Sequence, residues 1–409
     1  MNLAVFGYRV TDVGGRVSEG VIEATEELSA AGRLREMGYV PIRVWPASAP
    51  AEGAAVAARR AARDGSARKD VLPFLQGLKT LLAAGVPLDR SLDMLGTLFR
   101  EKAMGRVAVA LLKEVRAGTS LADAMRKAPG APFNRFTVQM VAAGQTAGRM
   151  EDALDQVHAF LERSRDFRSS LMGSLIYPAI LVAASILSVV LMVVYVVPKV
   201  AGIFAAARAT LPLPTRMLLA TSGFLQAYGP YFLGALVLAG VLFASALRRP
   251  GFRRDFDRAM LGWPLAGGIL TAIETSRVTR SLSSLLAGGV PILSAFVIAR
   301  EVSGNLAVRE GIEAARVRVQ GGAKLARALS ETTPFPDLAL QMIAVGEETG
   351  RLEGMLASVA DAYEENARRA LRAFLVLLEP VVILGMGLVV GFIVFSLFLA
   401  VFRLNEVAF

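Results

Sequence analysis

LLAAGVPL at residues 81–88 returns as LLAGGVPI at residues 285–292, 204 positions later. GTSLADAM at 118–125 returns as GAKLARAL at 322–329 with the same offset. QMVAAGQTAGRMEDAL at 139–154 returns as QMIAVGEETGRLEGML at 341–356, now 202 positions later, and Pro178 matches Pro380 at that second offset. Collinear matches at a nearly constant offset mark a duplicated unit. The first copy spans roughly residues 70–197 and the second roughly 275–402.

Within each copy the local grammar is helical. In AGVPL, Gly85 supplies the left-handed conformation that stops a helix, and Pro87 suits the first turn of the next one, where its missing N–H costs nothing. Gly289 and Pro291 repeat the device. Gly148 and Gly350 read as stops of the same kind, each with acids in the following first turn: Glu151 and Asp152, or Glu353. Gly144 and Gly346 complete a G-x-x-x-G in each copy. Leu154, Val157 and Leu161 then carry the spacing of an amphipathic helix. Each copy is expected to be a bundle of short antiparallel helices followed by a membrane helix that starts near a proline, Pro178 or Pro380.

Three charge-free windows predict the membrane helices. They run from 169 to 198, from 217 to 247 and from 380 to 402. About 20 apolar residues cross ~30 Å of hydrocarbon, and at about 1.5 Å per residue the third window reaches about 34 Å. In the second window Gly229 and Pro230 predict a helical part confined to about Tyr231–Leu247. Basic residues near the ends set the orientation. Twelve lie on one side: Arg149, Arg163, Arg165, Arg168, Arg248, Arg249, Arg253, Arg254, Arg258, Arg368, Arg369 and Arg372. Lys199, Arg208, Arg216 and Arg403 lie on the other. The expectation is a multi-pass protein of the bacterial inner membrane with its N-terminus and both bundles in the cytoplasm and its C-terminus outside. MNLAVFGYRV does not read as a signal peptide.

The fold class is thus mainly α: three transmembrane helices and two repeated cytoplasmic helical bundles, plus a small N-terminal α+β segment. The expected segments are a minidomain at 1–45, a linker at 46–69, bundle 1 at 70–172, span 1 at 173–198 and a periplasmic loop at 199–228. Span 2 follows at 229–247, a cytoplasmic connector at 248–274, bundle 2 at 275–375, span 3 at 379–402 and a periplasmic tail at 403–409. In the minidomain, FGYRVTDVGGRVSEGVIEA predicts a hairpin turning at Gly14–Gly15, and TEELSAAGRLREMGYVPIRVW predicts a helix stopped at Gly38 and a last strand.

Composition narrows the chemistry. The chain has 409 residues, is 54% hydrophobic, and carries a net charge of +10. It contains no cysteine, which excludes disulfides, thiolate metal sites and cysteine nucleophiles. Its one histidine, His158, sits on an amphipathic helix and reads as structural. No lysine follows a glycine, so there is no Walker A loop, and no G-x-S-x-G elbow occurs. The predicted spans carry no ionisable residue, which argues against an ion-coupled transporter. Neighbouring acids such as Glu347–Glu348 and Glu364–Glu365 diverge by ~100° on a helix and form no dyad alone. Glu347, beside Gly346 and Gly350, is the candidate for a cation or polar contact; Gln145 stands in its place in the first copy. Gly387 and Gly391 form a further G-x-x-x-G inside the third window. ARRAARDGSARK at 58–69 lacks the aromatics of a nucleic-acid site and reads as a solvated linker. No cofactor, catalytic group or nucleic-acid partner is expected.

Taken together, the twin AGVP/GGVP segments, the twin G-x-x-x-G segments, and SLIYPAILVAASILSVVLMVVYVVP resemble the inner-membrane platform family of bacterial type II secretion systems and type IV pili. In the last of these, Tyr177, Pro178 and Pro198 bracket the first span. The resemblance covers the whole chain and is somewhat closer to the secretion-system branch, protein F. Two positions depart from the family pattern. Ser170 stands where a basic residue is usual, and Gln145 where the family's M-x-x-G-E supplies Glu. The resemblance implies a non-enzymatic, homo-oligomeric platform of a type II secretion system. Such a platform couples a cytoplasmic assembly ATPase to pseudopilin assembly for export across the outer membrane; type IV pilus biogenesis is the alternative. It also implies partners: the ATPase, other inner-membrane components, pilin or pseudopilin subunits and lipid. Docking of the ATPase on the minidomain falls, by resemblance, to Phe6, Tyr8, Arg9, Arg33 and Arg35. A transporter or receptor is the alternative of another class.

Overall fold

The computed structural model describes residues 4–11, 17–24, 27–46, 67–199, 213–264 and 266–407. The Gly14–Gly15 turn, most of the expected linker and residues 200–212 of the expected loop lie outside the described residues. The chain divides into two compact units, Met1–Asn134 and Arg135–Phe409.

The first unit opens with β1 (Ala4–Thr11), β2 (Val17–Ala24), α1 (Glu27–Glu36) and β3 (Val40–Pro46). The sheet is antiparallel in the order β2-β1-β3, with a register shift between Arg9 and Val10 where β1 meets β3. α1 buries Ala30 and Leu34, and Ala30 packs with Ala24, Ile22 and Val44 of the sheet. Four helices follow: α2 (Val71–Ala83), α3 (Leu88–Leu98), α4 (Ala103–Arg116) and α5 (Leu121–Lys127). Their apolar positions recur at helical spacing, so each buries one stripe. Phe74, Leu78, Leu92, Met104, Leu111 and Leu121 are fully enclosed, and the Phe74 ring sits near Phe99 and Phe133 at 6.2 and 6.0 Å.

The second unit begins with α6 (Arg135–Thr146) and α7 (Met150–Leu191), the latter prolonged by a π-helical turn at Met192–Val196. Then come α8 (Leu213–Ala246), α9 (Pro250–Leu261), α10 (Gly267–Ala287), α11 (Ile292–Val302) and α12 (Leu306–Gln320). α13 (Leu325–Thr332), α14 (Asp337–Thr349) and α15 (Leu352–Val407) complete it. The duplication is visible element by element: α2–α7 and α10–α15 correspond in order and spacing. α10 lies against α15, α11 and α7, and α15 crosses α7 and α8.

Three helices are long and apolar enough to cross a membrane: Met150–Lys199, Leu213–Ala246 and Leu352–Leu399. The prolines correct the sequence reading. Pro178 and Pro380 do not start membrane helices; they lie inside α7 and α15, of 42 and 56 residues. The expected boundary between bundle and span is therefore no break in the chain, because one helix serves both. The second span likewise does not start at Tyr231: α8 begins at Leu213 and runs through Gly229 and Pro230. Proline removes one backbone bond and crowds the preceding turn, a defect that membrane helices tolerate where neighbours and local adjustment make up for it.

Candidate functional site

The twin G-x-x-x-G segments fold into the same hairpin twice. Gly148 (φ 67°) and Gly350 (φ 70°) take the left-handed conformation that ends α6 and α14. The other glycine of each pair has a different task. A Cβ on Gly144 would strike the Cβ of Ala153, and one on Gly346 would lie 2.7 Å from the Cβ of Met355. Ala153 and Met355 are themselves 202 positions apart, so both hairpins close on the same contact. Gly85 (φ 77°) and Gly289 (φ 78°) end α2 and α10 in the same way, and Pro87 and Pro291 stand immediately before α3 and α11.

Glu347 faces a helix end. Its Oε1 accepts the backbone N–H of Leu325 at 2.8 Å, and its Oε2 that of Ala326 at 3.3 Å. These are the first two donors of α13, which has Lys324 at its cap position and no side-chain cap of its own. A carboxylate there suits both the orphan N–H groups and the positive end of the helix dipole. In the first copy the corresponding helix, α5, is capped locally: Ser120 Oγ accepts the N–H of Asp123 at 3.1 Å.

Below the apolar spans, α7, α10 and α15 meet. The Tyr177 hydroxyl donates to Glu379 Oε1 at 2.9 Å. Arg280, 5% exposed, reaches Asp361 at 2.5 Å and Glu364 at 3.1 Å. A buried guanidinium needs such partners, since its charge is costly without them. Glu365, one residue on, points elsewhere and meets Arg369 at 3.7 Å and Arg372 at 3.2 Å. Arg368 lies over the buried Phe167 ring at 5.6 Å. α10 also encloses Thr275, Ser276, Thr279 and Ser281, small polar side chains against its neighbours.

Glu274, in α10, clamps the turn between α11 and α12. It accepts from Ser303 Oγ at 2.6 Å and Gly304 N at 2.9 Å, and pairs with Arg277 at 3.1 Å. Asn305 caps α12 through Ala307 and Val308, and Asp257 of α9 accepts the N–H of Leu306 at 2.8 Å. On α12, Glu313 joins Arg316 at 2.6 Å and Arg300 at 2.9 Å. The Arg316 hydrogen bond holds the Glu313 carboxyl below the usual carboxylate range, against a smaller opposing effect of burial.

At the far end of the spans, side chains of α8 bind backbone carbonyls of its neighbours. Ser222 Oγ donates to Val193 O at 2.7 Å and Gln226 Nε2 to Val194 O at 2.8 Å. Both acceptors lie in the π-helical turn, where the i→i−4 ladder is interrupted. Thr215 Oγ1 donates to Ser396 O at 2.7 Å. Val193, Val197, Leu218 and Ile393 form the apolar cluster beside them. Such bonds hold membrane helices together where burial of apolar surface supplies little drive. Pro198 follows this turn within the same helix.

The remaining expected site residues belong to other elements. Phe6, Tyr8 and Arg9 are on β1; Tyr8 pairs in register with Gly20 and Val44, and is half-buried. Arg33 and Arg35 are exposed on the last turn of α1. His158 is nearly enclosed, its Nδ1 3.7 Å from Glu162. Around Gly385, Gly387 and Gly391 no atom beyond the helix's own nearby backbone comes within 4 Å of an added Cβ among the described residues. Sequence reasoning missed Arg280, Glu274 and Phe167, and took Arg368 only as one of the basic residues that orient the spans.

The fold and this junction define a polytopic α-helical membrane protein built from a tandem repeat, the last helix of each copy continuing as a membrane span. The chain belongs to the type II secretion system protein F family. The model of that family matches residues 74–198 and again 278–400, and the model of its N-terminal domain matches 3–44. The chain is 33% identical to type II secretion system protein F of Xanthomonas campestris over 99% of both chains. It is equally 33% identical to type II secretion system protein F of Pseudomonas aeruginosa, again over 99% of both. To the type IV pilus assembly protein PilC of Myxococcus xanthus it is 29% identical over 98% of this chain and 95% of the relative.

Proposed function

We propose that the chain is the inner-membrane platform of a type II secretion system, coupling a cytoplasmic assembly ATPase to pseudopilin assembly. The observation that carries this reading is full-length similarity to proteins named as component F of that system. Type IV pilus assembly is the second reading, favoured by the comparable match to PilC. The role is mechanical rather than catalytic: α7 and α15 each run on as a membrane span, so a push on the bundle end of either reaches the span along one continuous helix. Phe6, Tyr8, Arg9, Arg33 and Arg35 dock the ATPase, and the chain self-associates in the assembled machine.

Co-purification of the ATPase with the full chain, and with a chain lacking residues 1–56, tests the docking. Undiminished retention by the shortened chain removes the minidomain from the interface. Replacement of the resident F protein in a secreting strain, scored for exported protein and for surface pili, separates the two systems. Orientation is tested by single cysteines, since the chain has none of its own. With the N-terminus cytoplasmic, S330C is protected from an impermeant thiol reagent in intact cells and R208C is labelled.

A further inference from the structure

A cavity of about 190 Å³ opens between α7 and α15 where the apolar spans begin. Ser170 and Ser174 line it from α7, and Glu365, Arg368 and Arg372 from α15. At roughly 30 Å³ per molecule it has room for on the order of six waters. Its depth in the membrane follows from the sequence. Ser170 and Ser174 fall in the first six residues of the charge-free run after Arg168, and Arg372 precedes Glu379 by seven residues, about 10 Å along the helix. The headgroup layer is roughly 5–7 Å thick on each side of the hydrocarbon. With the reach of its side chain Arg372 comes to that layer, and Arg368 lies one helical turn further from the hydrocarbon.

The arginines are held ready for an anion. The guanidinium of Arg368 lies over the buried Phe167 ring at 5.6 Å, and its Nε is buried without a hydrogen-bond partner among the described residues. A buried guanidinium N–H left unpaired is costly and marks a place where an acceptor belongs. Arg372 donates from Nε to the Arg368 carbonyl at 3.3 Å and from one terminal nitrogen to Glu365 at 3.2 Å. Glu365 also has Arg369 at 3.7 Å, so its single charge is shared between two cations and the cluster stays net positive. Planar guanidinium forks match phosphate oxygens, and basic pockets between membrane helices at the headgroup level recognise anionic lipids.

We propose that Arg368 and Arg372, with the hydroxyl of Ser170, bind the phosphate of an anionic phospholipid between the last helices of the two repeats; the Ser174 hydroxyl donates instead to the Ser170 carbonyl at 2.9 Å. The bound phosphate satisfies the orphan Nε of Arg368 and ties α7 to α15 at the membrane surface.

The test uses the full chain in nanodiscs of phosphatidylcholine mixed with phosphatidylglycerol, followed by native mass spectrometry of the lipids that remain bound. The wild-type chain is expected to retain phosphatidylglycerol in preference to phosphatidylcholine. R368Q/R372Q lowers that preference roughly tenfold. R248Q/R249Q, which removes equal charge at the end of α8, leaves it intact. R372Q alone, at an exposed position, gives a partial loss and carries the test if the double variant does not fold. An unchanged preference in both R368Q/R372Q and R372Q, or an equal loss in R248Q/R249Q, overturns the proposal. Inorganic phosphate in lipid-free detergent provides the other arm. If it raises the thermal midpoint of the wild type but not of R372Q while no lipid preference exists, the ligand is a soluble phosphate and the lipid assignment fails.

Discussion

Tyr177 donates a hydrogen bond to Glu379 across 2.9 Å, and the two residues occupy the same position in the two copies of the repeat, each followed by a proline. α7 and α15 therefore touch at equivalent points, as a pseudo-twofold relation between their membrane-proximal parts requires. The two positions carry different chemistry, a donor in one copy and an acceptor in the other, so the contact orders the pair. Y177F and E379Q should each lower the stability of the chain in detergent. A double-mutant cycle by chemical unfolding should give a coupling of about 1 kcal/mol, the range found for hydrogen bonds between membrane helices. Additive losses would mean that the bond contributes nothing.

The hairpin glycines predict a steric penalty. G144A places a methyl group on the Ala153 Cβ and the Arg149 carbonyl, neither of which can rotate away. A loss of about 1–3 kcal/mol is expected, as for other overpacked sites. G346A meets the Met355 Cβ and the Leu352 backbone and should behave alike. Adding A153G to G144A should recover part of the loss, because it removes the colliding atom at the smaller cost of a second helical glycine. Thermal unfolding of the three variants checks the order.

The cap at α13 predicts a dependence between residues far apart in sequence. E347A should destabilise by about 1 kcal/mol, the usual worth of a helix cap. K324S rebuilds in the second copy the local cap that Ser120 provides in the first. E347A should therefore cost less in the K324S background than alone, measured by the same unfolding midpoint. Equal costs in both backgrounds would assign Glu347 a role other than capping.

Glu313 predicts an acid limb. Its folded-state pKa is lowered, chiefly by Arg316, so it binds its proton more weakly folded than unfolded. The stabilisation is present above the ordinary glutamate value of about 4.3 and is lost as pH falls through the folded pKa. Wild type and E313Q should differ in thermal midpoint near neutrality and converge toward the lowest pH at which both still unfold cooperatively. Salt should narrow the difference, because the group is partly exposed.

What the sequence made legible was local or repetitive. The left-handed glycines Gly85, Gly148, Gly289 and Gly350 could be placed because a helix stop is written within a few residues, and the duplication showed each of them twice. The three apolar windows could be read because length and hydropathy are sums over neighbours. The failures share one cause. Pro178 and Pro380 follow a local rule for helix starts, yet packing and the apolar surroundings carry the helix through them. Leu213 as the start of α8 depends on bonds from Thr215, Ser222 and Gln226 to other helices, which no window around them encodes. Arg280 finds Asp361 and Glu364 more than 80 residues away, and Glu347 finds a helix end 21 residues back. Those pairings are tertiary, and one sequence carries no mark of them.

The unbroken length of α15 has a mechanical consequence. A helix of 56 residues is about 84 Å long, and it runs from the Gly350 turn through the third apolar window. Its weakest backbone point is Pro380, one residue beyond Glu379, where Tyr177 of α7 makes contact. The fulcrum and the most compliant joint thus coincide, and the same holds for α7 at Pro178. Under the platform role proposed above, a tilt imposed on the bundle end of α15 would pivot at that crossing, with the stroke on each side set by the length of arm measured from it.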